Sequence, residues 1–382
     1  MHFSFFLTTR SMSPDEDKVV LDTTIEYARS AEELGFDAVF TPDHHFTGYA
    51  PWASDPFMFA SYLAAILKRV YLGFSVTTVP LHHPVRIAER LNLLDQLTNG
   101  RLLVGIGSGT TPEESIGFGV KFQDASRISQ ENIDIVLRLW AKKIEDEPIQ
   151  FETSAYKGAV VQRIAPASYT KPYPRLMPVA GRESSIALAA KNGWPAFINA
   201  FTPPVIDNTE PLKHFTNNFV KYRDALIQAG QPAEVIAQCL SWTTRTYQII
   251  HVANSDGQAR EELHTIIHGY KAAIEREYVY NKRAEQISGV DLHAPPDPFG
   301  EGWIKTWCLY GSPDTVAAEL QPYVDLGAGN VLGSFTHGPL TPERRRLTES
   351  AMQLFAREVM PRFRDKGKRV VGSSESAKEA RQ

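Results

Sequence analysis

Apolar positions follow two periods along this chain. Short runs rich in β-branched and aromatic residues recur as HFSFFLT (2–8), DAVFTP (37–42), VYLGFSVTTV (70–79), RLLVGIG (101–107), RLMPVA (175–180), AFINAF (196–201), CLSWTTRTYQIIHV (239–252) and NVLGSFT (330–336), and each reads as a strand. The stretches between them are amphipathic at helical spacing. Ser13-Pro14-Asp15-Glu16 offers a capping serine, a proline at the first helical position and a glutamate three residues on, with Gly35 to close that helix. In PVRIAERLNLLDQL, Ile87, Leu91, Leu94 and Leu97 share one face, and Asn99-Gly100 stops it. Ser312-Pro313 and Thr341-Pro342 open two further helices. Strand–helix alternation of this kind predicts an α/β fold with a parallel sheet, and eight strand runs predict a closed (β/α)8 TIM barrel. The competing doubly wound sheet more often has about five or six strands.

A barrel takes about 250 residues, so a chain of 382 residues must carry insertions. Residues 108–175, which contain the helical pattern SRISQENIDIVLRLWAKK, and residues 281–310, broken by HAPPDPFGEGW, are the two expected ones. Both follow strands and should rise at the C-terminal face of the barrel. Residues 1–364 then form a single domain, and 365–382 read as a mobile C-terminal tail.

Forty basic against 44 acidic residues give a net charge of −4, which offers no electrostatic footing for nucleic acid or an anionic membrane. The proportions of hydrophobic (43%) and charged (22%) residues exclude disorder as a class. Two cysteines, Cys239 and Cys308, exclude a disulfide framework and a thiolate zinc site. No apolar stretch reaches the roughly 18 residues of a spanning helix, and MHFSFFLTTR lacks the basic start of a signal peptide. A soluble, cytoplasmic protein is the expectation.

Candidate chemistry collects where strands are predicted to end. His44-His45 and His82-His83 each follow a strand run. Neighbouring residues of an extended segment point to opposite sides, so each doublet aims one ring at a shared centre, and no carboxylate at ligand spacing joins them; this argues against a metal. His45, His82 and His83 fit hydrogen-bonded structural roles, whereas His44 suits proton transfer near neutral pH. Gly105-Ile106-Gly107-Ser108-Gly109 ends a strand but lacks the third glycine of a dinucleotide loop and the lysine of a P-loop, so its glycines let the backbone approach a planar ligand or turn tightly. Ala180-Gly181-Arg182-Glu183-Ser184-Ser185 leads from strand to helix and reads either as a phosphate cradle or as a helix cap.

Together PDHHFTGYA (42–50), VPLHHPVRIAERLNLLDQLTNGRLLVGIGSG (79–109), VAGRESS (179–185), YGSPD (310–314) and LFAREVMPRF (354–363) resemble the bacterial luciferase-like flavin-dependent monooxygenases, nearly end to end apart from the tail. The resemblance implies an eight-stranded barrel with insertions. It also implies a two-component reaction: a separate flavin reductase supplies FMNH2, which reacts with O2 to give a C4a-peroxyflavin that oxygenates an aldehyde, ketone or similar small substrate. His44 matches the family's catalytic histidine. Ser75 and Val76 match a segment that lies along the flavin ring and often carries a non-prolyl cis peptide. Against the luciferase pattern, Gly107 stands where a reactive cysteine occurs, Ser108 where an arginine occurs, and Gly181 where an acidic residue occurs, so a thiol role is absent. The FMN phosphate then falls to Arg182, Ser184 and Ser185, or to Arg127, which sits in a matching Ser-Arg pair. The apolar stretch FMFASYLAAIL (57–67) and the helix ending at Leu97 imply, as in the family, a homodimer through the helices after strands 2 and 3. Two rivals remain: an F420-dependent oxidoreductase on the same fold, and a non-catalytic flavin-binding protein.

Overall fold

A computed structural model describes residues 1–46, 50–198, 210–289, 300–336 and 338–364. The expected tail, 365–382, lies outside these residues. At the centre is a curled sheet of seven parallel strands in the order Arg175–Pro178, Leu102–Gly107, Tyr71–Thr78, Ala38–Thr41, His2–Phe6, Asn330–Gly333 and Thr244–Tyr247. Its two edges meet the same short segment. Phe197 bridges Val179 on one side and Thr244 on the other, both in parallel. Phe197 N donates to Pro178 O (3.0 Å), and Thr244 N donates to Ala196 O (3.0 Å). The sixth run is therefore a single bridge residue with a few bonds, its remainder from 199 onward outside the described residues.

The seventh run departs from expectation. Residues 239–241 end the helix Ala233–Ser241. The rest splits into Thr244–Tyr247, in the main sheet, and Ile249–Val252, which pairs in parallel with Cys308–Gly311. That last strand begins inside the segment expected as an insertion at 281–310 and runs one residue beyond it. The insertion itself starts earlier, with a helix of 33 residues from Asp256 to Ser288, and ends with the helix Glu301–Trp307. An apolar run of a few residues fits a buried strand or a buried helix equally, which is why Cys239 and Leu240 misled the pattern.

The segment 108–175 also divides. Its helix Ala125–Ala141 packs on Pro84–Leu97 as an ordinary crossover helix. The short helix Pro112–Gly117 and an antiparallel hairpin, Ile149–Glu152 with Lys157–Val160, are the true additions.

Helix ends follow local chemistry in most places. Gly35 takes φ +86° at the end of Asp17–Leu34, and Asn99 and Gly100 take φ +53° and +79° after Pro84–Leu97. Ser312 and Thr341 accept from the N–H groups of Thr315 and Arg344. Ser13 does not cap: it precedes a 3-10 turn with no side-chain bond, and Glu16 reaches past it to accept from Met12 N at 2.8 Å.

Candidate active site

Three neighbouring strands, Ala38–Thr41, Tyr71–Thr78 and Leu102–Gly107, end side by side, and the segments leaving them make the site. In the middle strand Phe74 stands opposite Val104 and Thr77 opposite Ile106, so Ser75 and Val76 together face Gly105 across a bulge. The Ser75–Val76 peptide is cis, as the resemblance implied, and both residues are partly exposed. A side chain at 105 is impossible, since its Cβ would lie 2.0 Å from Phe74 O. Gly107 abuts the same bulge, with a Cβ there 2.7 Å from Val76 Cγ2. Gly105 thus lets two strands approach closely, backbone to backbone, and Gly107 makes room for the Val76 side chain.

Asp43, fully buried, ties this bulge to the first strand. Its Oδ2 accepts from Thr78 N (2.8 Å) and pairs with His82 Nε2 (2.8 Å), while Oδ1 pairs with His45 Nε2 (3.2 Å). Burial alone would raise the Asp43 carboxyl. The hydrogen bonds of His45 and His82, the charge of His82 and the Thr78 N–H together hold it well below the usual carboxylate range. His45 and His82 therefore have the structural roles expected of them. So does His83, which accepts from Val85 N at the start of its helix; burial, with Arg86 nearby, holds it below the ordinary histidine value. Among the described residues no group of three or more His, Cys, Asp or Glu side chains is placed to hold a metal.

His44 points elsewhere. Its Nδ1 lies 2.9 Å from Glu114 Oε1, and the same oxygen accepts from His45 N at 2.8 Å. Glu114 belongs to the short helix Pro112–Gly117 and was not anticipated, although Thr111-Pro112 followed by two glutamates is a readable helix start. That helix also receives Phe46, whose ring would be 2.3 Å from a Cβ at Gly117, and Phe118 beyond it meets the His45 ring edge-on at 4.5 Å.

The remaining expected residues fall in two groups. Gly181, Arg182, Ser184 and Ser185 lead into the helix Glu183–Asn192, beyond the end of the Arg175–Pro178 strand. Ser185 Oγ accepts from Arg182 N (3.1 Å) and donates to Arg182 O (2.9 Å), so its hydroxyl closes the first turn; Arg182 and Ser184 are exposed. Ser108 sits partly exposed after Gly107. Arg127, by contrast, is half-exposed in the first turn of Ala125–Ala141, held by Asp124 (2.9 Å) and Glu131 (3.2 Å). An anion there would have to displace two carboxylates.

Parallel strands flanked by helices, with ionisable and glycine-rich loops gathered at their C-terminal ends, define an α/β fold of the TIM-barrel-like kind. The sequence pattern of the family described as luciferase-like monooxygenase matches residues 1–330. The chain belongs to that family and is an oxidoreductase of the monooxygenase class. It is 24% identical over 315 residues to the alkanal monooxygenase alpha chain of the Kryptophanaron alfredi symbiont, covering 82% of this chain and 81% of that one. It is 25% identical over 353 residues to the F420-dependent glucose-6-phosphate dehydrogenase of Amycolatopsis mediterranei, covering 90% and 95%. Among solved structures, monooxygenase RslO1 from Streptomyces bottropensis superposes with a TM-score of 0.74 at 23% identity, covering 95% of this chain and 100% of that one. The oxygenating constituent of 3,6-diketocamphane monooxygenase from Pseudomonas putida, a type II Baeyer–Villiger monooxygenase in complex with FMN, gives a TM-score of 0.67 at 18% identity, covering 95% and 98%. These likenesses show the fold.

Proposed function

We propose that this protein is the oxygenating component of a two-component, FMNH2-dependent monooxygenase, built on a (β/α)8 barrel in which the Phe197 segment serves as the sixth strand. The observation that carries the reading is the constellation at three adjacent strand ends: the Ser75–Val76 bulge, the glycines opposite it, and His44 beside them. These residues fit a flat ring with a phosphate tail. Gly105 and Gly107 let the strand end pack tightly against Phe74 and Val76, and Val76, partly exposed at the bulge, would offer an apolar surface to one face of the ring. The amide groups opening Glu183–Asn192, with Arg182 and Ser184 exposed beside them, suit a phosphate dianion better than the acid-paired Arg127 does. Reduced FMN, delivered by a separate reductase, supplies the electrons with which O2 is activated. The protein's part is to orient that ring, to exclude water, and through His44 to give or take one proton near the reacting oxygen. A homodimer through the helices Pro56–Ile66 and Pro84–Leu97 completes the reading, since Met58, Tyr62, Leu93 and Leu97 are large apolar side chains left exposed there.

The F420-dependent relative keeps a second reading open, hydride transfer from that deazaflavin on the same fold. Spectroscopic titration of the purified protein with FMN, FMNH2 and F420, followed by oxygen uptake and product analysis over aldehydes and ketones, separates the two. His44→Ala should leave FMNH2 binding nearly intact and cut product yield by about 10²–10⁴-fold, with oxygen diverted to hydrogen peroxide. Tight F420 binding with no FMNH2 binding refutes the proposal, and a fully coupled His44→Ala enzyme removes His44 from it.

A further inference from the structure

We propose that Glu114 is a positioning residue for His44: its buried carboxylate holds the imidazole in the form that carries hydrogen on Nδ1, which places the ring's lone pair on Nε2. The inference rests on the reading of His44 as the proton-transfer group and adds the residue that sets its chemistry. One oxygen, Glu114 Oε1, serves two donors, His44 Nδ1 at 2.9 Å and His45 N at 2.8 Å. An ionised carboxylate only accepts, so both contacts are donated to it, and the ring must present Nδ1–H. Because the second donor is backbone, the same oxygen also fixes the chain direction from which the His44 side chain departs.

The two sides of the pair differ in exposure. The His44 side chain is 26% exposed and that of Glu114 only 2%, so the ring faces outward from a carboxylate that cannot follow it. The carboxylate is itself clamped by packing. A methyl group at Gly117 would sit 2.3 Å from the Phe46 ring, and Phe118 stacks on Phe46 at 5.8 Å while meeting His45 at 4.5 Å. The short helix Pro112–Gly117 is thereby keyed to residues 44–46 at three points, the carboxylate and two rings. The neighbouring His45 is drawn off to Asp43 with His82, so the doublet is split between two carboxylates. Asp43 ties strand ends together; Glu114 addresses the most exposed of these three rings. An oriented imidazole whose other nitrogen is held by a carboxylate is how proteins choose which nitrogen does the work.

The direct test needs neither flavin nor substrate. Protein labelled with 15N-histidine is examined by two-bond 1H–15N correlation, with the His44 signals identified by their loss in His44→Ala. Wild-type His44 should show the Nδ1–H form. Glu114→Gln keeps an acceptor oxygen and should preserve it; Glu114→Ala should shift His44 toward the Nε2–H form. If the alanine variant does not fold, Glu114→Asp, one methylene shorter, should cause the same shift by failing to reach both donors. In turnover, Glu114→Ala should lower coupled product at least about tenfold in the wild-type background and have no further effect on top of His44→Ala. An unchanged His44 form in both the alanine and aspartate variants overturns the proposal, as does an equal loss of yield with and without His44, which marks a purely structural role. If His44→Ala stays fully coupled while the Glu114 variants still change the tautomer, the proton-transfer reading of His44 fails and the positioning by Glu114 stands.

Discussion

Replacing Asp43 by alanine strips one acceptor group from three donors at once, the ring nitrogens of His45 and His82 and the amide of Thr78. His45 is 6% exposed and Thr78 5%, so water cannot readily take the carboxylate's place. A buried donor left unpaired costs about 1–3 kcal/mol. Breaking a buried charged cluster by removing one partner costs about 3–5 kcal/mol, so Asp43→Ala should lose that amount of stability. Asp43→Asn keeps one oxygen for Thr78 and His82 and offers an amide to His45, which can answer through its Nε2 lone pair; its loss should be about 1–2 kcal/mol. The pH dependence has a definite sign. The folded-state pKa of Asp43 lies below its ordinary value. Its stabilising contribution is therefore complete above the unfolded-state value, near 3.9, and is lost as pH falls from there toward the folded-state value. The stability gap between wild type and Asp43→Asn should shrink as pH falls below about 4. Urea melts followed by far-UV circular dichroism, repeated across that range, measure it. A gap that stays constant or widens in acid, or an alanine variant within about 1 kcal/mol of wild type, would refute the reasoning.

Three other outcomes follow from the same geometry. Arg182→Ala should weaken FMNH2 binding by about 1.5–3 kcal/mol, read by fluorescence titration; unchanged affinity would move the phosphate away from the Glu183–Asn192 helix. Gly107→Cys, which restores the residue type of the luciferase pattern, should cost about 1–3 kcal/mol and weaken flavin binding, because its Cβ lies 2.7 Å from Val76 Cγ2; a variant with wild-type melting and affinity would show that Val76 yields freely. Light scattering should give a mass of twice 42.7 kDa for wild type, and Tyr62→Glu with Leu93→Glu should halve it. A wild-type monomer at micromolar concentration would count against the dimer.

The course of the sheet was legible because it depends on short-range rules. Strand runs alternate with helical periods, and Gly35, Asn99-Gly100, Ser312 and Thr341 end or start helices through bonds to residues within a few positions. Where a rule saw only apolar density, as at 239–241, it could not choose between helix and strand; the neighbour that buries the segment decides that. The strand Cys308–Gly311 was missed for the same reason, since its pairing partner Ile249–Val252 lies on the far side of the long inserted helix.

The site divides along the same line. Sequence by itself placed His44 and Gly107 at strand ends, because β-runs can be read and parallel sheets put all their C-terminal ends on one side; the family resemblance singled out Ser75 and Val76 within the run 70–79. Sequence did not contain the partnerships. His44 meets Glu114 across 70 residues, and Asp43 meets Thr78 and His82 across 35 and 39. These contacts exist because three strands lie side by side and because a six-residue helix folds back over their ends. No local propensity encodes which carboxylate a given imidazole will face. Long-range packing decides it.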